Sequence, residues 1–463
     1  VTVEPAAAVL SRMTGKPVKA EYNRKESILS TRVRHASVNY VKTGFMKDGT
    51  LKAVDFKVYT NTGAMRGYGS PRVYFGWQRQ MQKIADFLRM DMADLQMKNM
   101  VDPDSCDSIF HKPRGNPRPK DCLKRALELI DYEACLKEQE ATRNQDIRIG
   151  VGLALGVHGN NCVGAHRDVS TPMLKMNEDG SCIYYTGSHD MGTDTLGMQM
   201  QIVSEVLGIS MDRIDCLAAD TDVVHWHIGD YSSRGVFVAG SAAKKTAEAM
   251  KRELQVEAAK LLETEPDDIE LHHDRAWSRK NEEKNASLHD VMVHCQSVSM
   301  RELMVAETYE AKRGATSYGV HIAKVEVNTL TGEVRPLEYA AVHDIGRAIN
   351  PLMLKGQLAG AIQMGLGYGL CEDMAYDGDG KPLVQTLKKY KVLRASQMPK
   401  IYMDFVETPQ GEPDGPYGAK ALGECPVVPA APAVVNAICN AVRGEINELP
   451  ARPDRVLAAL GDK

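Results

Sequence analysis

The stretch Gly418-Ala419-Lys420-Ala421-Leu422-Gly423-Glu424-Cys425-Pro426 places one carboxylate among small and apolar residues, just before a predicted helix at Pro429–Val442. A carboxylate in apolar surroundings takes up a proton more readily than one in water, as a general base working near neutral pH must. Glu424 is therefore a candidate base, and a buried structural glutamate is the alternative interpretation. Cys425 is not expected to be a nucleophile, because no histidine lies near it in the sequence to activate it.

Two segments nearer the N-terminus are also rich in glycine, and they contain several polar residues. Met65-Arg66-Gly67-Tyr68-Gly69-Ser70-Pro71 has glycines on both sides of an aromatic ring, which lets backbone amides approach a ligand, although an ordinary turn explains the pattern equally well. In Gly187-Ser188-His189-Asp190-Met191-Gly192-Thr193-Asp194-Thr195 a strand ends and a helix begins, so free amides predict an anion site. Helix capping by Asp194 or Thr195 is the competing explanation.

The remaining pattern predicts an α+β fold without the regular alternation of a doubly wound sheet. Asp48-Gly49 predicts a tight turn within Met46–Thr50. The apolar positions between residues 78 and 100 fit one core-facing helix, and a loop at 102–119 leads to a helix at 122–140. We place a boundary after residue 148, which gives predicted domains at 1–148 and 149–463. Further helices are expected at 4–13, 196–207 and 242–262, and strands at 18–22, 51–59, 150–156, 181–186, 213–218, 325–328 and 334–339.

Composition limits the class of partner. The 463 residues are 43% hydrophobic and 25% charged, and the formal net charge of -4 gives no field able to gather nucleic acid or anionic lipid. No apolar run suggests a membrane span and the first residues do not resemble a signal peptide, so we expect a cytoplasmic protein. The 10 cysteines are scattered without a C-x-x-C pair, which argues against zinc-ribbon and iron–sulfur ligand sets and predicts that most are buried. The sequence also has neither a G-x-G-x-x-G fingerprint nor a P-loop.

Taken in their order along the chain, the glycine-rich segments resemble the molybdenum domain of the xanthine dehydrogenase and aldehyde oxidase family. The resemblance is carried by Arg66-Gly67-Tyr68-Gly69, by Asp190-Met191-Gly192, by Asp344-Ile345-Gly346 with Asn350-Pro351, Gly356-Gln357 and Gly360, and by Gly423-Glu424. It covers nearly the whole chain and is closest to bacterial xanthine and nicotinate dehydrogenase subunits. It implies elongated paired α+β domains that hold molybdopterin with molybdenum, either plain or as the cytosine dinucleotide.

The resemblance also implies roles for single residues. Glu424 would be the base that takes up a proton while oxygen from water is added to an electron-poor carbon of the substrate. Arg66 and Gln357 would lie beside the metal centre, and Tyr68 would pack on the substrate ring. The residues implied to contact the cofactor or the metal centre are Gly67, Gly192, Thr193, Asp194, Tyr231, Ser232, Ser233, Arg234 and Gly423. No side chain is implied to bind the metal directly.

The chain departs from the family pattern at several points. It begins after the family's Gly-Gly-Phe-Gly loop, and Thr60–Ala64 runs straight into Met65 where relatives have a long segment. Thr193 replaces a glutamine, and Cys425 stands where proline is commoner. Either the missing parts lie on a further molybdenum-domain subunit, or the sequence is a gapped version of a longer one. We expect incompleteness of this kind rather than loss of function. Because iron–sulfur ligands and a flavin motif are absent as well, the resemblance implies partner subunits that carry iron–sulfur clusters and FAD.

The expected substrate is a small N-heteroaromatic compound, a purine such as xanthine or hypoxanthine. Nicotinate, or another heteroaromatic compound or aldehyde, is the alternative. A non-catalytic scaffold subunit with the same fold is a second alternative from a different class. The joint presence of Arg66, Gln357 and Glu424 favours the enzyme.

Overall fold

The computed structural model describes residues 3–31, 33–34, 36–61, 63, 65–103, 105–106 and 115–460. The junction at Ala64 and part of the predicted loop at 102–119 therefore lie outside the described residues. Within those residues the helices are α1 Glu4–Thr14, α2 Arg24–Ser30, α3 Ser70–Leu88, α4 Met92–Asn99, α5 Pro119–Leu129, α6 Tyr132–Ala141, α7 Thr195–Leu207, α8 Ser241–Leu261, α9 Leu288–Ser297, α10 Pro351–Leu370, α11 Ala430–Val442 and α12 Pro453–Ala459. The strands are β1 Ser37–Phe45, β2 Leu51–Thr60, β3 Ile147–Gly159, β4 Val169–Ser170, β5 Met173–Met176, β6 Cys182–Thr186, β7 Ile214–Ala218, β8 Ile269–His272, β9 Arg275–Ser278, β10 Asn285–Ser287, β11 Met304–Ala306, β12 Tyr309–Glu310, β13 Thr316–Asn328, β14 Val334–Gly346 and β15 Lys400–Glu407.

A sheet in the order β15-β14-β13-β3 separates two hydrophobic layers. β13 is antiparallel to β3 and β14, and β15 is parallel to β14. Because side chains along a strand alternate between faces, Val320 and Ile322 pack with residues of α3, α4 and α5, whereas Val325 and Val327 pack with α11. The backbone of α11 lies so close to β3 that a Cβ at Gly152 would overlap the main chain of Ala437.

A second core surrounds α7 and α8. The sheet β11-β5-β6-β7 packs against these helices, and β6 runs parallel to β7 with α7 connecting them. A π-helical turn at Gly235–Gly240 leads directly into α8. The candidate site lies where loops from this core meet loops from the central sheet.

Most of the predicted elements are confirmed, but three expectations are wrong. Residues 18–22 form no strand and lead instead to α2, whose first turn is capped by the Asn23 side chain. The helix predicted at 78–100 is interrupted after Leu88, and the Asp91 side chain caps a new helix. The helix predicted at 122–140 is interrupted in the same way, at Asp131. Aspartate accepts hydrogen bonds from free amides at a helix start, and this local bonding prevails over a continuous apolar pattern.

Residue 148 lies at the start of β3, and residues before and after it share one hydrophobic cluster. Leu123 and Ala126 of α5 pack with Val151 and Leu153 of β3. The division into domains at 1–148 and 149–463 stays a prediction.

One apolar stretch among the described residues, Cys425–Val442, is long and apolar enough by composition to cross a membrane. The expectation that no apolar run suggests a membrane span is therefore wrong as regards length and composition. Within the protein 94% of it is buried, which is the environment of a core helix.

Candidate functional site

Arg66 joins three segments that are far apart in the sequence. Its Nε donates to the carbonyl of Gly423 (2.6 Å), and its Nη2 donates to both the carbonyl and Oε1 of Gln357 (3.2 and 3.1 Å). Burial lowers the pKa of Arg66, while the negative charge of Glu424 opposes that shift. Hydrogen bonds from a charged donor contribute about 1.5–3 kcal/mol each, so Arg66 fixes the start of α10 against the loop before Glu424.

Gln357 extends this connection to the turn before α7. It lies in the second turn of α10, a helix that Asn350 caps by accepting from the Met353 amide (3.2 Å). Its Nε2 donates to the carbonyl of Gly192 (2.9 Å). The three glycine-rich segments selected from the sequence therefore meet through Arg66 and Gln357.

The turn before α7 does not offer the free amides that the sequence suggested. Oδ1 of Asp190 accepts from the amides of Gly192, Thr193 and Asp194 at 2.8, 3.0 and 3.2 Å. A carboxylate of the protein itself thus occupies the predicted anion site. The capping explanation is wrong too, because Asp194 has a left-handed backbone (φ 55°) and no side-chain hydrogen bond caps α7.

The carboxylate of Glu424 is held in a defined orientation. Oε1 accepts from the amide of Gly67 (3.0 Å), and Oε2 accepts from the hydroxyl of Ser233 (3.4 Å). The amide of Glu424 donates to the same Ser233 oxygen (3.1 Å). The side chain keeps 19% of its surface exposed, so it is both oriented and open to a small reactant. An oriented carboxylate with these properties is suited to proton transfer.

His158 is a neighbour of Glu424 that the sequence did not indicate. Its Nε2 lies 3.6 Å from Oε2 of Glu424, and its side chain is 9% exposed. The residue belongs to β3, where its backbone pairs with Ser317 of β13. A lone histidine in a strand follows no motif, so only the folded structure reveals this proximity.

The segment Tyr231–Ser233 approaches Glu424 through its last residue. Ser232 and Ser233 both have φ near 53°, a left-handed conformation that L-residues adopt at a cost of about 1 kcal/mol or more. The hydroxyl of Ser232 donates to the carbonyl of Asn161 (3.1 Å), and the Tyr231 hydroxyl pairs with His166 (2.9 Å). Ser233 is thus placed at the candidate base, whereas Tyr231 and Ser232 hold a neighbouring loop.

Tyr68 lies on the surface beside the site. It is 65% exposed and has a left-handed backbone, with φ 49°. Its carbonyl accepts a hydrogen bond from Arg72 (2.5 Å). The ring is therefore accessible to a small molecule, and its contact with a substrate stays a prediction.

Arg234, predicted at the cofactor, is fully buried among protein groups. Its guanidinium pairs with Asp168 (2.8 Å), contacts His227 Nε2 (2.7 Å) and donates to the carbonyls of Val169 and Gly229 (2.6 and 3.1 Å). Burial and the charge of Arg234 lower the pKa of His227 to about 4. These partners give the side chain of Arg234 a structural role.

Cys425 is buried, and its Sγ lies 3.4 Å from the carbonyl of Ser317. Burial raises the pKa of its thiol, so the thiolate required of a nucleophile is disfavoured. The expectation that most cysteines are buried is confirmed, since seven of the ten are in that class.

Two segments match models of known domains. Residues 125–399 and residues 1–65 each match a model described as a molybdopterin cofactor-binding domain. The chain belongs to the molybdopterin cofactor-binding family. The resemblance, the fold class and the class of cofactor predicted from sequence are thereby confirmed for this family member.

Relatives and solved structures agree with the family assignment. The xanthine dehydrogenase molybdenum-binding subunit of Escherichia coli O157:H7 is 27% identical over 505 residues, which cover 98% of this chain and 66% of that subunit. The 6-hydroxypseudooxynicotine dehydrogenase complex subunit gamma of Paenarthrobacter nicotinovorans is 28% identical over 427 residues, or 89% and 53% of the two chains. The structure of quinoline 2-oxidoreductase from Pseudomonas putida 86 has the same fold, with a TM-score of 0.90 at 21% identity over 99% of this chain and 66% of that one.

This family member therefore spans between about half and two thirds of the length of these relatives. The alignment with the xanthine dehydrogenase subunit covers 505 residues and is longer than the 463-residue chain itself. The relative thus contains internal residues that have no counterpart here.

The surface beside Gln357 fits a molybdopterin. A Cβ added at Gly192, Gly356 or Gly360 would meet no heavy atom within 4 Å, so the glycines line open space next to Gln357. A flat ring system could approach the backbone closely there because no side chain intervenes. Gln357 and the three glycines are the residues that would hold the cofactor.

Proposed function

We propose that the protein is the molybdopterin-binding part of a hydroxylase that oxidises a small N-heteroaromatic substrate, a purine such as xanthine or hypoxanthine, with water as the oxygen source. The geometry of Glu424 carries this proposal. Its carboxylate is oriented by Gly67 and Ser233, remains partly exposed, and belongs to the same hydrogen-bonded assembly as Arg66 and Gln357.

A bound molybdenum cofactor would supply the two-electron oxidation. Glu424 would take up the proton of the attacking water-derived oxygen, which makes that oxygen a better nucleophile. Oε1 accepts from the Gly67 amide at 3.0 Å, whereas Oε2 accepts from Ser233 at the longer distance of 3.4 Å, so Oε2 is the oxygen more open to this proton. Arg66 would keep Gln357 and Gly423 at a fixed separation, so that the distance between Glu424 and the cofactor stays constant.

The choice of a purine is supported by the name of the E. coli relative, a xanthine dehydrogenase subunit. A pyridine substrate is the second candidate, since the 28% identical relative from P. nicotinovorans belongs to a 6-hydroxypseudooxynicotine dehydrogenase complex. Both candidates are electron-poor nitrogen heterocycles, which suit attack by an oxygen nucleophile.

We also propose that electrons leave through partner subunits that carry iron–sulfur clusters and FAD, in a cytoplasmic complex. Support comes from the relatives' names, which describe a molybdenum-binding subunit and subunit gamma of a complex. A further molybdenum-domain subunit and the cytosine dinucleotide form of the cofactor remain part of this proposal.

The test is a hydroxylation assay on the assembled complex in ¹⁸O-labelled water, with molybdenum content measured on the same sample. Xanthine, hypoxanthine, nicotinate and an aromatic aldehyde are compared as substrates. We expect molybdenum in the protein and ¹⁸O in the product of a purine. Turnover in a preparation free of molybdenum, or a product without ¹⁸O, would overturn the proposal. A complex that holds no molybdenum and turns over no substrate would favour the scaffold.

A further inference from the structure

His158 is anchored in a way that fixes which of its ring nitrogens carries a hydrogen. Its Nδ1 lies 2.7 Å from the carbonyl oxygen of Gly159. A carbonyl oxygen can only accept, so Nδ1 must donate and must carry the hydrogen. In the neutral ring, Nε2 is then a bare acceptor.

That acceptor faces Oε2 of Glu424 at 3.6 Å. An ionised carboxylate also only accepts, so no hydrogen bond links the two atoms while Glu424 is charged and His158 is neutral. Their separation of 3.6 Å exceeds the range of a hydrogen bond. The two atoms are adjacent and lack only a proton between them.

The hydrogen bonds to the carboxylate leave Oε2 more open to an incoming proton than Oε1. Oε1 is occupied by the amide hydrogen of Gly67 (3.0 Å). The Ser233 oxygen accepts from the Glu424 amide, so its own hydrogen is directed to Oε2 at the longer distance of 3.4 Å. Arg66 directs its guanidinium to Gly423 and Gln357 and does not block this side.

We propose that His158 is a positioning residue for Glu424, namely the hydrogen-bond acceptor of its protonated form. When Oε2 takes up a proton, the new O–H donates to Nε2 of His158, and the contact shortens to hydrogen-bond length. The proton stays on Oε2 and no other bond changes. This inference rests on the proposed function for its catalytic meaning, whereas the pairing itself is a property of the chain alone.

The first test observes the pairing without cofactor or turnover. The full chain is labelled with ¹⁵N-histidine, and the His158 signals are assigned with H158Q. We expect the Nδ1–H tautomer at neutral pH. In E424Q the Gly67 amide keeps the side-chain oxygen at Oε1, so the amide nitrogen occupies the Oε2 position and donates to Nε2 as a protonated carboxyl would. We therefore expect an upfield shift of Nε2 in E424Q and none in E424L, which has no donor.

An Nε2–H tautomer in the wild type, or the same Nε2 shift in E424Q and E424L, would overturn the proposal. Neither outcome depends on hydroxylase activity, so failure of the proposed function and failure of the pairing are distinguishable.

The second test compares turnover in the loaded complex. H158L removes the acceptor, and we expect kcat to fall about tenfold to hundredfold with KM and molybdenum content within about twofold of wild type, since one hydrogen bond to the protonated base is lost. H158Q retains an acceptor oxygen and should recover most of kcat. Equal kcat in H158L and wild type, or an equal loss in H158L and H158Q, would contradict the role of the acceptor.

Discussion

The amide of Gly67 donates a 3.0 Å hydrogen bond to Oε1 of Glu424, although 357 residues separate the two in the sequence. Gly67 has φ 83°, and a Cβ there would lie 2.7 Å from the Pro71 ring and 3.0 Å from Val427. Only glycine gives the loop both this backbone conformation and this close packing. The loop and the candidate base are thus mutually positioned.

Gly67→Ala should therefore disturb the base as well as the loop. We expect the protein to lose about 2–3 kcal/mol of unfolding free energy from strain and overlap, and kcat to fall at least tenfold because the Glu424 carboxylate loses its donor. Chemical denaturation and steady-state kinetics measure the two effects. Gly164→Ala is the control, since Gly164 also has a left-handed backbone (φ 101°) but open space around it. Equal losses of kcat in both variants would show that the overlap at Gly67 is unimportant.

Arg234 should prove essential to folding rather than to binding. Asp168→Asn leaves the buried guanidinium of Arg234 without its counter-charge, which costs about 3–5 kcal/mol of unfolding free energy. Lys19→Met removes one partner of the exposed pair Lys19–Glu21 and should cost about 0.5 kcal/mol or less. Denaturant titrations of the two variants check the contrast. An Asp168→Asn variant as stable as the wild type would refute the structural role of Arg234.

The loop before Glu424 is held by a buried lysine. Lys420 donates to Asp344 Oδ2 and to the carbonyl of Asn116, both at 2.7 Å. Burial raises the pKa of Asp344, and Lys420 opposes that shift. Removing the positive charge of Lys420 leaves the buried Asp344 carboxylate without its counter-charge, so the ionised form of Asp344 then destabilises the folded protein.

Lys420→Met should therefore be pH-sensitive. Because the pKa of Asp344 is raised in the folded state, the folded protein favours the protonated acid. The pKa of an aspartate in an unfolded chain is about 4. Asp344 therefore destabilises the folded state increasingly as the pH rises above that value. We expect the variant to lose about 3 kcal/mol relative to wild type at pH 8 and less at pH 5. Denaturation midpoints at the two pH values decide. A deficit that is larger at pH 5 would contradict the assigned ion pair.

Gly360 lies on an open face of α10, and we expect its substitution to have opposite effects on the stability of the cofactor-free protein and on cofactor binding. Gly360 faces open space, so Gly360→Ala should stabilise the cofactor-free protein by about 0.5–1 kcal/mol through helix propensity. The added methyl group should also lower molybdopterin content by keeping the ring system away from the backbone. Calorimetry and pterin fluorescence measure the two effects. Arg252→Ala, on the exposed surface of α8, is the control and should leave pterin content unchanged; full pterin content in Gly360→Ala would argue against this surface.

The sequence predicted the meeting of Glu424, Arg66 and Gln357 only through the ordered resemblance of their motifs. Local composition alone left Glu424 open to a structural interpretation. Helix-capping preferences could have predicted the interruptions at Asp91 and Asp131. The apolar periodicity continues across both positions, however, and it predicted uninterrupted helices. His158 and the buried role of Arg234 depend on partners distant in sequence, Glu424 and Asp168, so no local pattern contained them.

The most direct measurement of the central claim is turnover by Glu424→Gln with cofactor content determined on the same preparation. Glutamine keeps the acceptor for the Gly67 amide but cannot take up the proton. We predict that molybdenum and pterin content match the wild type while kcat falls about hundredfold or more, the usual contribution of a general base. Turnover within about twofold of wild type at equal cofactor content would contradict the assignment of Glu424 as the base.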